Sequence, residues 1–124
     1  MSFLTLAATF TYSQESKETT VKKIKAFLHQ YQVNISTGKT GNNPTIYYNK
    51  LEKIIDIDGY QIPLQEVKTT YYVSQTGHKC VSFDCRLDDC IVKPTGGLQT
   101  GFAIPFLTKS NCYSFIELIN QLKK

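Results

Sequence analysis

Hydrophobic positions along the chain fall first at helical spacing, then at strand spacing, and return to helical spacing at the C-terminal end. In SKETTVKKIKAFLHQYQ, residues 16–32, Val21, Ile24, Phe27, Leu28 and Tyr31 recur at steps of three and four. That spacing puts them on one face of a helix. Ser16 or Thr19 can cap its free amides, and Glu18 lies near the positive end of the helix dipole. Lys22, Lys23 and Lys25 fall on the flanks and outer face, and His29 lies outside the stripe, which makes it a surface residue. Residues 34–44, NISTGKTGNNP, are a polar loop closed by Pro44. Their GKTG string lacks the earlier glycine and the preceding apolar strand that a phosphate loop requires. Asn34-Ile35-Ser36 has the form of a glycosylation acceptor.

From Thr45 onward the period is two. TIYY at 45–48 reads as a strand. KIIDIDGYQI places Asp58-Gly59 between alternating apolar runs, and both positions tolerate positive φ, so a two-residue hairpin is expected. Asp56 and Asp58 resemble the start of a calcium loop, but Val67 stands where its closing glutamate belongs. VKTTYYVSQ at 67–75, KCVSFDC at 79–85 and GLQTGFAIPF at 97–106 read as further strands. Pro63 and Pro105 mark edges or bends because proline cannot donate to a ladder. Protected edges of that kind argue for a monomer. In SNCYSFIELINQLKK, Phe115, Leu118, Ile119 and Leu122 form the stripe of a closing amphipathic helix, with Ser110 as its expected cap.

The reading is therefore an α+β domain with an N-terminal helix, about seven short antiparallel strands in a bent sheet or barrel, and a C-terminal helix. This element order over residues 45–124 resembles that of pleckstrin-homology-like domains, in which the last helix plugs one end of a bent barrel. The alternative arrangement is cystatin-like or NTF2-like, with helix 16–32 wrapped by the sheet. The charge-free, apolar segment at 1–14, MSFLTLAATFTYSQ, reads as a truncated signal segment without its basic start, or as an N-terminal strand. Residues 15–124 make a single domain. With the signal-like start and a pair of nearby cysteines, the chain looks like small exported bacterial proteins of unassigned role.

Composition narrows the function. The net charge of +4 rests on lysines, Arg86 being the only arginine, which argues against a nucleic-acid reader. The apolar run at the start is too short to span a bilayer, and the stripe of helix 16–32 is core-facing, so membrane contact is not the leading expectation. A peripheral lipid-binding domain using that basic helix is one alternative.

The four cysteines carry the remaining candidate chemistry. Strand parity points Cys80 and Cys85 to opposite faces, so they can neither bond together nor share a metal ion. RLDD at 86–89 is polar enough for a four-residue hairpin loop, which would set Cys85 opposite Cys90 and allow a disulfide. Cys80 and Cys112 are a second candidate pair, which parity disfavours. The competing reading is a metal-binding or thiol-dependent protein built on His78, Cys80, Cys85 and Cys90, although structural zinc sites use tighter spacing. No nucleophile, base and orienting acid converge in sequence, and no cofactor motif is present. A non-catalytic binding or interaction module, exported to an oxidising periplasmic or extracellular compartment, is the expectation, with an unidentified protein or small ligand as partner.

Overall fold

The structure, a computed structural model, describes residues 16–124. The segment read as a signal or first strand lies outside the described residues. Helix α1, Lys17–Tyr31, starts at Ser16, whose hydroxyl accepts from the Thr19 amide. Ile24 and Leu28 are buried on its inner face, and Val21, Phe27 and Tyr31 pack against the same core. Helix α2, Lys109–Lys123, starts not at Ser110 but at Thr108. Thr108 and Asn111 exchange side-chain-to-amide hydrogen bonds at 3.1 Å, which satisfies two orphan donors reciprocally.

Eight strands lie between the helices: β1 Ile46–Asn49, β2 Ile54–Ile57, β3 Tyr60–Pro63, β4 Val67–Val73, β5 Lys79–Cys85, β6 Ile91–Val92, β7 Leu98–Gln99 and β8 Gly101–Phe106. They form two antiparallel sheets, in the orders β1-β2-β3-β6-β7 and β4-β5-β8, and the described residues close no barrel. The Asp58-Gly59 turn has positive φ at both residues, 53° and 88°, and sets Ile57 opposite Tyr60 as the pattern predicts. Alternation then turns Ile55, Ile57 and Ile62 inward.

The stretch expected as one strand at 97–106 divides at Thr100, with β7 in one sheet and β8 in the other. β5 and β6 divide between the sheets in the same way. The two halves form a bent ribbon that passes from sheet to sheet at a shared corner, where the Cys85 amide donates to the Thr100 carbonyl at 2.8 Å.

Between the sheets and the helices lies an aromatic core. Phe115 of α2 sits 5.0 Å from Phe106, 6.2 Å from Phe27 and 6.3 Å edge-on from Phe83. These contacts seat α2 on the inner face of the three-stranded sheet, with α1 packed beside α2 and β1.

Candidate functional site: the cysteine corner and the outer trough

Cys85 and Cys90 are joined by a disulfide with Cα atoms 5.8 Å apart. The pair is the expected one, but its setting is not a hairpin. Cys85 faces Thr100 and Ile91 faces Gln99, so one strand places residues 86–90 where its neighbour places none. The Cys90 amide donates to the Gln99 carbonyl at 3.3 Å, next to the Cys85 bond on Thr100. The disulfide therefore closes the base of an excursion and lets the ribbon continue as though it were absent. RLDD forms the excursion, with Leu87 92% exposed. Asp89 is tied back by the Thr100 hydroxyl.

Cys80 and Cys112 are free thiols, both buried, so the second candidate bridge is not formed. Cys80 shares the face of Ser82 and Asp84, whereas Phe83, on the opposite face, meets Phe115 of the helix that carries Cys112. Although it alternates with the outward-facing Ser82 and Asp84, Cys80 is only 4% exposed. Burial pushes the Cys112 thiol up to about 11, with Cys80 adding to the shift and Lys79 opposing it. Burial also raises the Cys80 thiol. Thiols held protonated in this way are poor nucleophiles and poor metal ligands.

The proposed zinc ligands do not assemble, since two of them are bonded to each other. Among the described residues no cluster of three or more His, Cys, Asp or Glu side chains is placed to hold a metal ion. The His78 amide closes a turn on the Ser74 hydroxyl at 3.0 Å. His29 is exposed, with Nδ1 2.9 Å from the Asn42 carbonyl oxygen. Asp56 accepts from the Gly59 amide at 2.8 Å and Asp58 from the Thr45 amide at 2.9 Å, so both brace the hairpin.

An open concave surface lies on the outer face of the three-stranded sheet. Thr70 and Tyr72 of β4, Ser82 and Asp84 of β5, and Gly101 and Ala103 of β8 line an open trough of about 490 Å³. The register brings them together, pairing Ser82 with Thr70 on one side and Ala103 on the other, and Asp84 with Gly101. The Ser82 hydroxyl donates to Asp84 Oδ2 at 3.0 Å. Asp84 Oδ1 lies over Gly101, where an added Cβ would stand 3.0 Å from it, so glycine keeps that side of the carboxylate open. Tyr72, 46% exposed, walls the trough. The surface therefore offers an acceptor held by one donor, with capacity for more, opposite Lys68 of β4 and in the same trough as the Tyr72 ring. The sequence reading missed this constellation because Asp84 and Gly101, and Thr70, Ser82 and Ala103, meet only through strand pairing. Alternating small or polar residues in three strands were the available signal.

A second groove, of about 390 Å³, lies between the start of α1 and β1 and is lined by Lys17, Lys22, Lys50, Tyr47 and Tyr48. Tyr47 is 69% exposed and Leu51, in the adjoining turn, 96%. Lys17 donates to the Gln121 carbonyl at 2.6 Å, tying α1 to α2. Among the described residues no helix is long and apolar enough to cross a membrane.

Comparison with protein-family models, with curated proteins and with solved structures found no match.

Proposed function

We propose that the chain is a non-catalytic binding module of an oxidising, extracytoplasmic compartment, and that the outer trough takes a small polar ligand rich in hydrogen-bond donors. The observation that carries this reading is Asp84, positioned by Ser82 and left open on its other oxygen by Gly101. A glycine at that point spares the carboxylate a contact that any other side chain would impose. The disulfide supports the compartment, since such bonds persist where thiols are not kept reduced. An amide-resolved NMR titration against a panel of neutral saccharides and small amines tests the site. Shifts concentrated at Thr70, Tyr72, Ser82, Asp84, Gly101 and Ala103, and abolished by Asp84→Ala, are expected. A panel that leaves these amides unmoved, or binding unaffected by Asp84→Ala, defeats the reading.

The basic end favours a second reading, contact with an anionic membrane surface, on the observation that Leu51 and Tyr47 project beside Lys17, Lys22 and Lys50. Lysines around a projecting apolar side chain match the interfacial pattern of charge attraction plus shallow insertion. Co-sedimentation with phosphatidylserine vesicles, lost in high salt and in Leu51→Asp, is the expected result. Pelleting that is equal with neutral vesicles would end this alternative.

A further inference from the structure

Edges, rather than faces, distinguish the two sheets. The outer edge of β8 is engaged: the Val33 amide donates to the Pro105 carbonyl at 3.0 Å, the Leu107 amide donates to the Tyr31 carbonyl at 3.2 Å, and Gln32 bridges to Phe106. Pro63 sits at the end of β3, beyond the single pairing of that strand with β6. The two prolines therefore lie where the edge is already managed. β4 carries no proline, has seven residues and, among the described residues, pairs only with β5.

The direction of its backbone groups follows from two bonds. The Ser74 amide donates to the His78 carbonyl at 2.9 Å, so even-numbered amides of β4 point to β5. The Arg86 amide donating to Glu66 O at 3.0 Å continues the same phase. Odd-numbered residues therefore turn their N–H and C=O groups outward. Val67 is completely buried, so the open edge runs from Thr69 to Val73. It reads Thr-Thr-Tyr-Tyr-Val, which is β-branched and aromatic throughout and carries no charge. Charges and prolines are the usual means of keeping such an edge solitary.

We infer that this edge pairs with the same edge of a second copy, forming a two-fold dimer through antiparallel β4 strands centred on Tyr71. That register pairs every open residue. Tyr71 opposes Tyr71 of the second copy, Thr70 opposes Tyr72 and Thr69 opposes Val73, while Lys68 faces Ser74 and meets no like charge. The outward amides of Thr69, Tyr71 and Val73 all gain carbonyl partners, and the facing side chains are the aromatic and β-branched pairs that stabilise antiparallel ladders. An isologous contact of this kind closes on itself and, with the β8 edge already engaged, leaves neither edge of the three-stranded sheet free among the described residues. The three-stranded sheet becomes six-stranded, and two outer troughs lie side by side. The inference does not depend on the trough having a ligand.

Sedimentation velocity and hydrogen exchange over a range of protein concentration test it. The dimer predicts that the Thr69, Tyr71 and Val73 amides exchange fast when dilute and become protected as the dimer fills, while Lys68, Thr70 and Tyr72 stay protected throughout. Thr70→Lys/Tyr72→Lys and Thr70→Glu/Tyr72→Glu place like charges opposite one another, and each should weaken self-association at least tenfold. Mixing the two restores association, a result that misfolded variants cannot give. A monomer at millimolar concentration overturns the proposal. So does concentration-independent protection of the three outward amides, because the edge is then occupied from within the chain. Association that survives in both charged variants also overturns it, since the contact then lies elsewhere.

Discussion

Removing the Cys85–Cys90 disulfide is the most direct test of the corner. The bond joins residues five apart in sequence, and the chain-entropy model gives so short a loop about 2 kcal/mol at 25 °C. For a chain of this length that corresponds to a fall of roughly 8 °C in Tm. The loss has a defined place. The disulfide holds positions 85 and 90 together so that their amides reach Thr100 and Gln99 on the neighbouring strand. Without it, the excursion absorbs the slack and the ribbon frays where it passes between the sheets. Calorimetry and amide exchange on the Cys85→Ala/Cys90→Ala double variant, against the oxidised protein, measure both effects. The expected outcome is the modest Tm loss together with faster exchange at positions 85, 90 and 91, and little change in the Asp58-Gly59 hairpin. An unchanged Tm, or a collapse of the whole fold, would refute the argument. A thiol count on the denatured, unreduced protein supplies the premise: two free thiols, Cys80 and Cys112, against four after reduction.

Three further outcomes follow from packing and charge. Phe115→Ala should cost about 4 kcal/mol, because the ring is fully buried among Phe27, Phe83 and Phe106; denaturant titration reads the loss. Gly59→Ala combines a φ of 88° with a Cβ 3.0 Å from the Pro94 ring, and should lower stability by about 2 kcal/mol in the same titration. The Cys112 thiol, raised from 9.0 to about 11, holds its proton longer in the folded state than in the unfolded one. Its contribution is therefore intact below about pH 9 and is lost as pH rises through about 11. Tyr48, raised by burial, has the same sign, and Lys123, lowered chiefly by burial, the opposite one. Cys112→Val should flatten the alkaline part of a stability–pH curve, and in the native protein at pH 8 neither thiol should react with iodoacetamide.

The local elements were legible because their signals are local. Helical spacing in 16–32, the Asp58-Gly59 turn and the Phe115–Leu122 stripe each depend on residues a few positions apart, and each element stands where the pattern put it. The α+β class follows from the same signals. The Cys85–Cys90 pairing was also within reach, since six consecutive residues limit where two sulfurs can meet. Its setting was not. A four-residue hairpin loop and an excursion from a continuous ribbon have the same polar sequence, and only the pairing of Cys85 with Thr100 and Ile91 with Gln99 separates them. That pairing also split 97–106 between two sheets, a division with no local marker because alternation runs through Thr100 unchanged. The burial of Cys80, the meeting of Asp84 with Gly101 and the open edge of β4 have one origin. Each depends on which strand lies beside which, and period-two alternation assigns a residue to a face without naming its neighbour. The sequence alone determined faces, turns and helix stripes. The tertiary structure decided strand partners, and with them the candidate site and the unpaired edge.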